Sequence, residues 1–112
     1  MNTDAGCSKH LNLAVIAIVR ADLSHGSQVA QAMHAASEIV TVLSAEVKPG
    51  TIAVALHARD EAHLRELATA LTQRLIPHHI VEECDGEWMA IGILTTDRKA
   101  VGKVTSSLPL VK

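Results

Sequence analysis

The densest set of groups able to do chemistry is Arg20-Ala21-Asp22-Leu23-Ser24-His25-Gly26-Ser27, followed by Gln28-Val29-Ala30-Gln31-Ala32-Met33-His34-Ala35. Arg20 can clamp a phosphate or carboxylate, or pair with a carboxylate of its own chain. Asp22 can assist a proton transfer, or hold a turn by accepting backbone N–H groups. His25 can serve as a base or a donor, but it cannot supply the fixed charge of a lysine at neutral pH. Gly26 and Ser27 stand where a helix should begin, and the unpaired amides of a helix start suit an anion. Gln31 and His34 follow at helical spacing and could orient a bound group or a water. His34 also stands four residues before Glu38, an ordinary ion-pair spacing on a helix. The remaining histidines do not suggest a metal. His78 and His79 point to opposite faces of a strand, and His57, His63 and Cys84 have no zinc spacing. No phosphate loop, dinucleotide fingerprint or nucleophile elbow is present, so no cofactor is expected.

These residues need elements to position them. Residues 11–19 form an unbroken apolar run rich in β-branched side chains, which predicts a central strand buried on both faces. Ser24 or Ser27 should cap the next helix. Val29, Met33, Ala36, Val40 and Leu43 recur every three or four residues and predict its core-facing stripe. That helix should end before Pro49-Gly50. Residues 51–57 predict a second strand. Asp60 should cap a second helix with Leu64, Leu67, Leu71 and Leu75 as its stripe, closed by Pro77. Residues 78–83 and 88–94 predict two antiparallel strands around the Asp85-Gly86 turn, good hairpin chemistry in itself. Thr95 or Thr96 should cap a last helix running from Asp97 to about Ser107, after which the chain leaves in extended form. The order is β-α-β-α-β-β-α, an α/β fold on a largely parallel sheet made mixed by the final hairpin. At the start of a helix that follows a strand, ligands collect outside the carboxyl end of the sheet.

The composition narrows the choices. One domain is expected from 112 residues, spanning residues 11–112 after a flexible tail, 1–10, without a secretory pattern. Trp88 is the only aromatic residue, so the core must be Ala, Val, Leu and Ile and should permit close helix–sheet approach. Ten basic residues against 12 acidic ones do not mark a nucleic-acid binder. The apolar run is too short to cross a membrane. Cys7 and Cys84 make no disulfide framework, which fits a reduced, cytoplasmic setting.

Several short matches fall in one order. Val19-Arg20-x-Asp22-Leu23, then Gly26-x-x-x-Ala30-Gln31-x-x-His34-Ala35, resembles the opening of the type II peptidyl-tRNA hydrolase family. The Asp85-Gly86 turn, Met89-Ala90-Ile91-Gly92 and Lys103-Val104-Thr105 through Leu110 resemble its later motifs. The resemblance covers nearly the whole chain. It implies a three-layer α/β/α sandwich on a four-stranded mixed sheet, and cleavage of the ester joining a peptide to the terminal ribose of tRNA. On that reading His25, Asp85 and Asp22 assist the attacking water, and Arg20, Gly26, Ser27, Gln31 and His34 bind substrate. Asp85 is a candidate base through the resemblance alone. The departures are equally specific. His25 and Ser27 stand where the family has loop lysines, the loop is shorter, and the threonines after the Asp-Gly turn are missing. They imply weak tRNA binding, with Arg20, Arg98, Lys99 and Lys103 as phosphate contacts if they share a face. They also keep open a non-catalytic reading, a binding module or homodimer on the same scaffold.

Overall fold

The computed structural model describes residues 13–112. The expected tail, Cys7 and the first two residues of the expected strand lie outside them. The elements are β1 (Ala14–Arg20), α1 (His25–Val42), β2 (Ile52–Ala58), α2 (Glu61–Gln73), β3 (His79–Glu82), β4 (Trp88–Thr95) and α3 (Arg98–Thr105). They form one four-stranded sheet in the order β2-β1-β4-β3. β1 runs parallel to β2 and antiparallel to β4, and β3 is antiparallel to β4. The mixed sheet, the three helices and their order are those the sequence predicts. All seven residues of β1 are buried, as a strand covered on both faces should be.

α1 packs on one face of the sheet, over β1, β4 and β3, and α2 on the other. The α2 face holds the larger core, with Ile18, Leu64, Leu71, Ile91 and Ile93 fully enclosed and Val101 of α3 closing it. Burying each of the large aliphatic groups contributes roughly 1.5–3 kcal/mol. The α1 face is fine-grained, built on Ala17, Val19, Ala35 and Ala90. Its packing depends on Gly92. A Cβ there would lie 2.3 Å from the carbonyl oxygen of Ala35, so only glycine lets α1 sit this close.

That approach corrects the stripe expected for α1. The helix docks through Gln28, Ala35 and Ile39. Val29, Met33 and Leu43 are exposed, Met33 at 67%, while Ala36 and Val40 are only partly buried. The cause is the helix position. α1 lies over β1, β4 and β3, and its second apolar stripe overhangs the uncovered side of β2. Leu75 is also outside its expected stripe, 89% exposed. α2 stops at Gln73, and Leu75 turns into the left-handed region at φ 59°.

Ser24 caps α1 and Asp60 caps α2, each side chain accepting from the amide three residues on. α3 is capped by Asp97, not by Thr95 or Thr96, because Asp97 reaches the Ala100 amide at 3.0 Å. Thr95 still belongs to β4 and accepts from the Asp97 amide. The extended C-terminal residues do not leave the fold. The His57 amide donates to the Pro109 carbonyl at 2.8 Å and the Val111 amide to Ala55 at 3.0 Å, so the tail lines the outer edge of β2.

β4 carries an irregularity that periodicity could not show. Its pairing with β3 slips from Val81↔Ala90 to Glu82↔Trp88, leaving Met89 without a partner. Such a bulge reverses the faces beyond it. Met89 joins the core under α1, and Trp88 packs against the core under α2.

Candidate functional site

The strand directions bring three segments to one end of the sheet. β1 and β2 both end there, since Arg20 pairs with Ala58. β4 begins there, since Val19 pairs with Ala90. α1 and α2 therefore start at this end, and the turn joining β3 to β4, with Asp85, folds at the same end. Arg98 and Lys99 open α3 at the opposite end, where Thr95 pairs with Ala14. They do not share a face with Arg20, which corrects the expected set of phosphate contacts.

Arg20 organises this end. It is buried, and its guanidinium donates to both oxygens of Asp22, Nε to Oδ1 at 2.9 Å and Nη2 to Oδ2 at 2.8 Å. Its Nη1 donates to Glu87 Oε2 at 2.8 Å and to the Trp88 carbonyl at 3.1 Å. The loop before α1 is thus tied to the turn before β4. The two hydrogen-bonded carboxylates raise the Arg20 pKa further. Its hydrogen bonds hold the Asp22 carboxyl below its ordinary value. Asp22 is accordingly an anion with both oxygens engaged, suited to anchoring the loop rather than to accepting a proton.

His25 is the exposed first residue of α1. Gly26 follows, and a Cβ there would meet nothing within 4 Å, so the approach to the helix start is open. Ser27 donates its amide to the Ser24 hydroxyl, and their hydroxyl oxygens lie 3.1 Å apart. Asp85 is exposed, and its Oδ1 accepts from the Glu87 amide at 3.0 Å, bracing the turn around Gly86, whose φ is 87°. Gln31 is half-buried along α1. His34 lies further from this end, nine residues past His25 and so roughly 14 Å along the helix. Its Nδ1 faces Glu38 at 3.8 Å, and the other oxygen of Glu38 meets His79 of β3 at 2.8 Å. Arg20, Asp22, His25, Gly26, Ser27 and Asp85 share the end of the sheet, while Gln31 and His34 run away from it.

Two groupings escape motif reading. Gln28 is buried, and its amide nitrogen donates to the carbonyls of Leu23 at 2.8 Å and Ala21 at 3.3 Å. Its oxygen must then accept, so His57 carries its proton on Nε2, 2.6 Å away. The pair pins the loop between β1 and α1 to the end of β2. The signal was available: Gln28 lies on the same helical stripe as Ala35 and Ile39. The second grouping surrounds Trp88. Glu61 Oε2 accepts from the Trp88 amide at 3.0 Å and from Arg65 at 2.8 Å. These bonds, the backbone one foremost, hold the Glu61 carboxyl below its ordinary value. Arg65 lies over the indole, 4.3 Å from the ring centre. No group of three or more potential metal ligands occurs among the described residues. No helix among them is long and apolar enough to cross a membrane.

Comparison with known proteins agrees with this architecture. The family model described as peptidyl-tRNA hydrolase PTH2 matches residues 13–111. No curated protein matches the chain. Among solved structures, a protein of unknown function from Agrobacterium tumefaciens strain C58 is similar at a TM-score of 0.72 and 16% identity. The match covers 90% of this chain and 98% of that one, and it bears on the fold alone.

Proposed function

The chain belongs to the peptidyl-tRNA hydrolase PTH2 family, and from that premise we propose that it hydrolyses the ester between a peptide and the terminal ribose of tRNA. The observation that carries this reading is the convergence of the α1 start, the Arg20–Asp22–Glu87 tie and the Asp85 turn at one end of the sheet. His25 and Asp85 are the exposed groups there able to orient or deprotonate a water. Arg20 and Asp22 fix the loop, and the first α1 amides, at His25 and Gly26, hold a phosphate or the developing oxyanion, the Ser27 amide being taken by the Ser24 cap. Gln31 and His34 contact the part of the substrate lying along α1. No step calls for a metal or cofactor. The test is cleavage of N-blocked aminoacyl-tRNA, followed beside an active member of the family. Cleavage that falls in His25→Ala and Asp85→Asn supports the assignment. Absence of cleavage at high protein concentration rejects it.

A second reading is favoured by a different observation. Val29, Met33 and Val40 of α1 stand exposed or half-buried beside Val15 and Ala53, forming an apolar groove over β2. In this reading the scaffold is a binding or dimerisation module, and the groove is where two copies meet. Light scattering distinguishes it: a dimer that Met33→Glu converts to a monomer supports the module, and a monomer at all concentrations rejects that dimer.

A further inference from the structure

The only aromatic side chain of the protein is not in the core. Trp88 is half-buried and lines a cleft of about 400 Å³ on the α2 side of the sheet. Arg65, Thr69, Thr72, Gln73 and His78 line it too. The β4 bulge puts the indole there, on the face opposite Met89. Three contacts keep it in place. Its amide donates to Glu61, its carbonyl accepts from Arg20, and Arg65, itself held by Glu61, stacks on its ring. Around this stack the cleft offers groups of both hydrogen-bonding senses. His78 donates its Nδ1–H to the Ile76 carbonyl at 2.9 Å, which leaves Nε2 as an acceptor. Thr69 gives its proton to the Arg65 carbonyl at 3.0 Å, so its oxygen accepts. Gln73 supplies a donor and an acceptor, and the Thr72 hydroxyl supplies either.

A flat surface of indole and guanidinium, edged by donors and acceptors, is chemistry suited to a heteroaromatic ring. Unpaired bases stack on aromatic rings and on arginine planes while their edges are read by polar side chains. We propose that this cleft binds an unpaired nucleobase, stacked against the Trp88–Arg65 pair with its edge toward His78, Thr72 and Gln73. The proposal rests on the tRNA reading only for the source of the base. Arg20 ties the two regions through the backbone, since it bonds both Asp22 and the Trp88 carbonyl.

The experiment uses the fluorescence of Trp88, the only Trp in a protein without Tyr. The full chain is titrated with adenosine and cytidine monophosphates, with inorganic phosphate, and with a short single-stranded RNA. Saturable quenching by either nucleotide, without quenching by phosphate, supports the proposal. Tighter binding of the RNA identifies a strand end as the source, and equal binding identifies the free nucleotide. Thr69→Phe, an exposed position at the cleft wall, should fill the space and weaken binding about 10-fold or more, the worth of one stacked base. Circular dichroism checks that the variant is folded. No saturable quenching, or quenching that Thr69→Phe leaves unchanged, overturns the proposal. Ester cleavage is scored separately, so an active hydrolase that binds no base would reject the cleft and leave the hydrolase reading standing.

Discussion

Replacing Gly92 by alanine tests the closest approach in the fold. The added Cβ would fall 2.3 Å from the Ala35 oxygen, 3.0 Å from its carbonyl carbon and 3.2 Å from the Ile39 Cβ. An ordinary carbon–oxygen contact begins at about 3.3 Å. The nearest obstacle is helix backbone, so no rotamer change relieves the clash, and α1 must withdraw by about 1 Å at Ala35. Ala35 and Ile39 are fully buried, and a gap of that size forfeits a quarter to a half of each contact along the seam. Overpacking costs about 1–3 kcal/mol, and the loosened seam brings the expected loss to about 3 kcal/mol. In urea, with a slope of about 1.5 kcal/mol/M, the midpoint should fall by about 2 M. The assay is equilibrium unfolding followed by circular dichroism, with Gly102→Ala as control. A Cβ at Gly102 of α3 meets nothing within 4 Å, so that change should stabilise by about 0.5–1 kcal/mol through helix propensity. A Gly92→Ala protein within 0.5 kcal/mol of the natural one, about the size of an ordinary surface change, would refute the seam.

Arg20→Met keeps the stem but leaves Asp22 and Glu87 without their cation, and should cost about 2 kcal/mol in urea unfolding, less than for a fully buried pair because both carboxylates reach solvent. The lowered Asp22 and Glu61 carboxyls give a pH dependence of definite sign. Their stabilisation is full above the unfolded values of about 4 and is lost as the pH falls through the lower folded values. Thermal unfolding between pH 7 and pH 2 should show this decline, and Asp22→Asn should make it shallower; a decline beginning near pH 6 would point to other groups. Replacing His25 and Ser27 together by lysine adds two charges at the α1 start and should strengthen tRNA binding, steepening its salt dependence by about one unit per new phosphate contact. Tight binding by the natural protein at physiological salt, unchanged by the two lysines, would place the tRNA surface elsewhere.

What could be read beforehand is local. The buried run of β1, the Ser24 and Asp60 caps and the Asp85-Gly86 hairpin each follow from neighbours in sequence, and each is found. The docking face of α1 could not be read, because the helix carries two apolar stripes and the choice depends on Gly92, far along the chain. The fate of Arg20 was equally hidden. Both alternatives, phosphate clamp and internal pair, were chemically open, and one of its carboxylate partners stands 67 positions away. The Trp88 cleft depends on a bulge, which shifts the alternation by one residue and leaves no mark in a run of apolar side chains. The match to the family's opening located α1 correctly, but the spacing of Gln31 and His34 along it carries them back over the sheet, away from the end where the other candidates meet.

The residues after α3 give the β2 edge a lock that is weaker than the sheet it guards. The bonds of His57 to Pro109 and of Val111 to Ala55, with Val111 packed against the core under α1, hold it, and Pro109 has no amide to add another. Opening this strap leaves the four paired strands intact, so it should occur far more often than global unfolding. Deuterium should therefore reach the His57 and Val111 amides well before those of β1. While the strap is open, β2 offers a bare row of donors and acceptors to any extended chain. The propensity of this protein to associate through its β2 edge is thus governed by the opening frequency of a three-residue strap, and only indirectly by its overall stability.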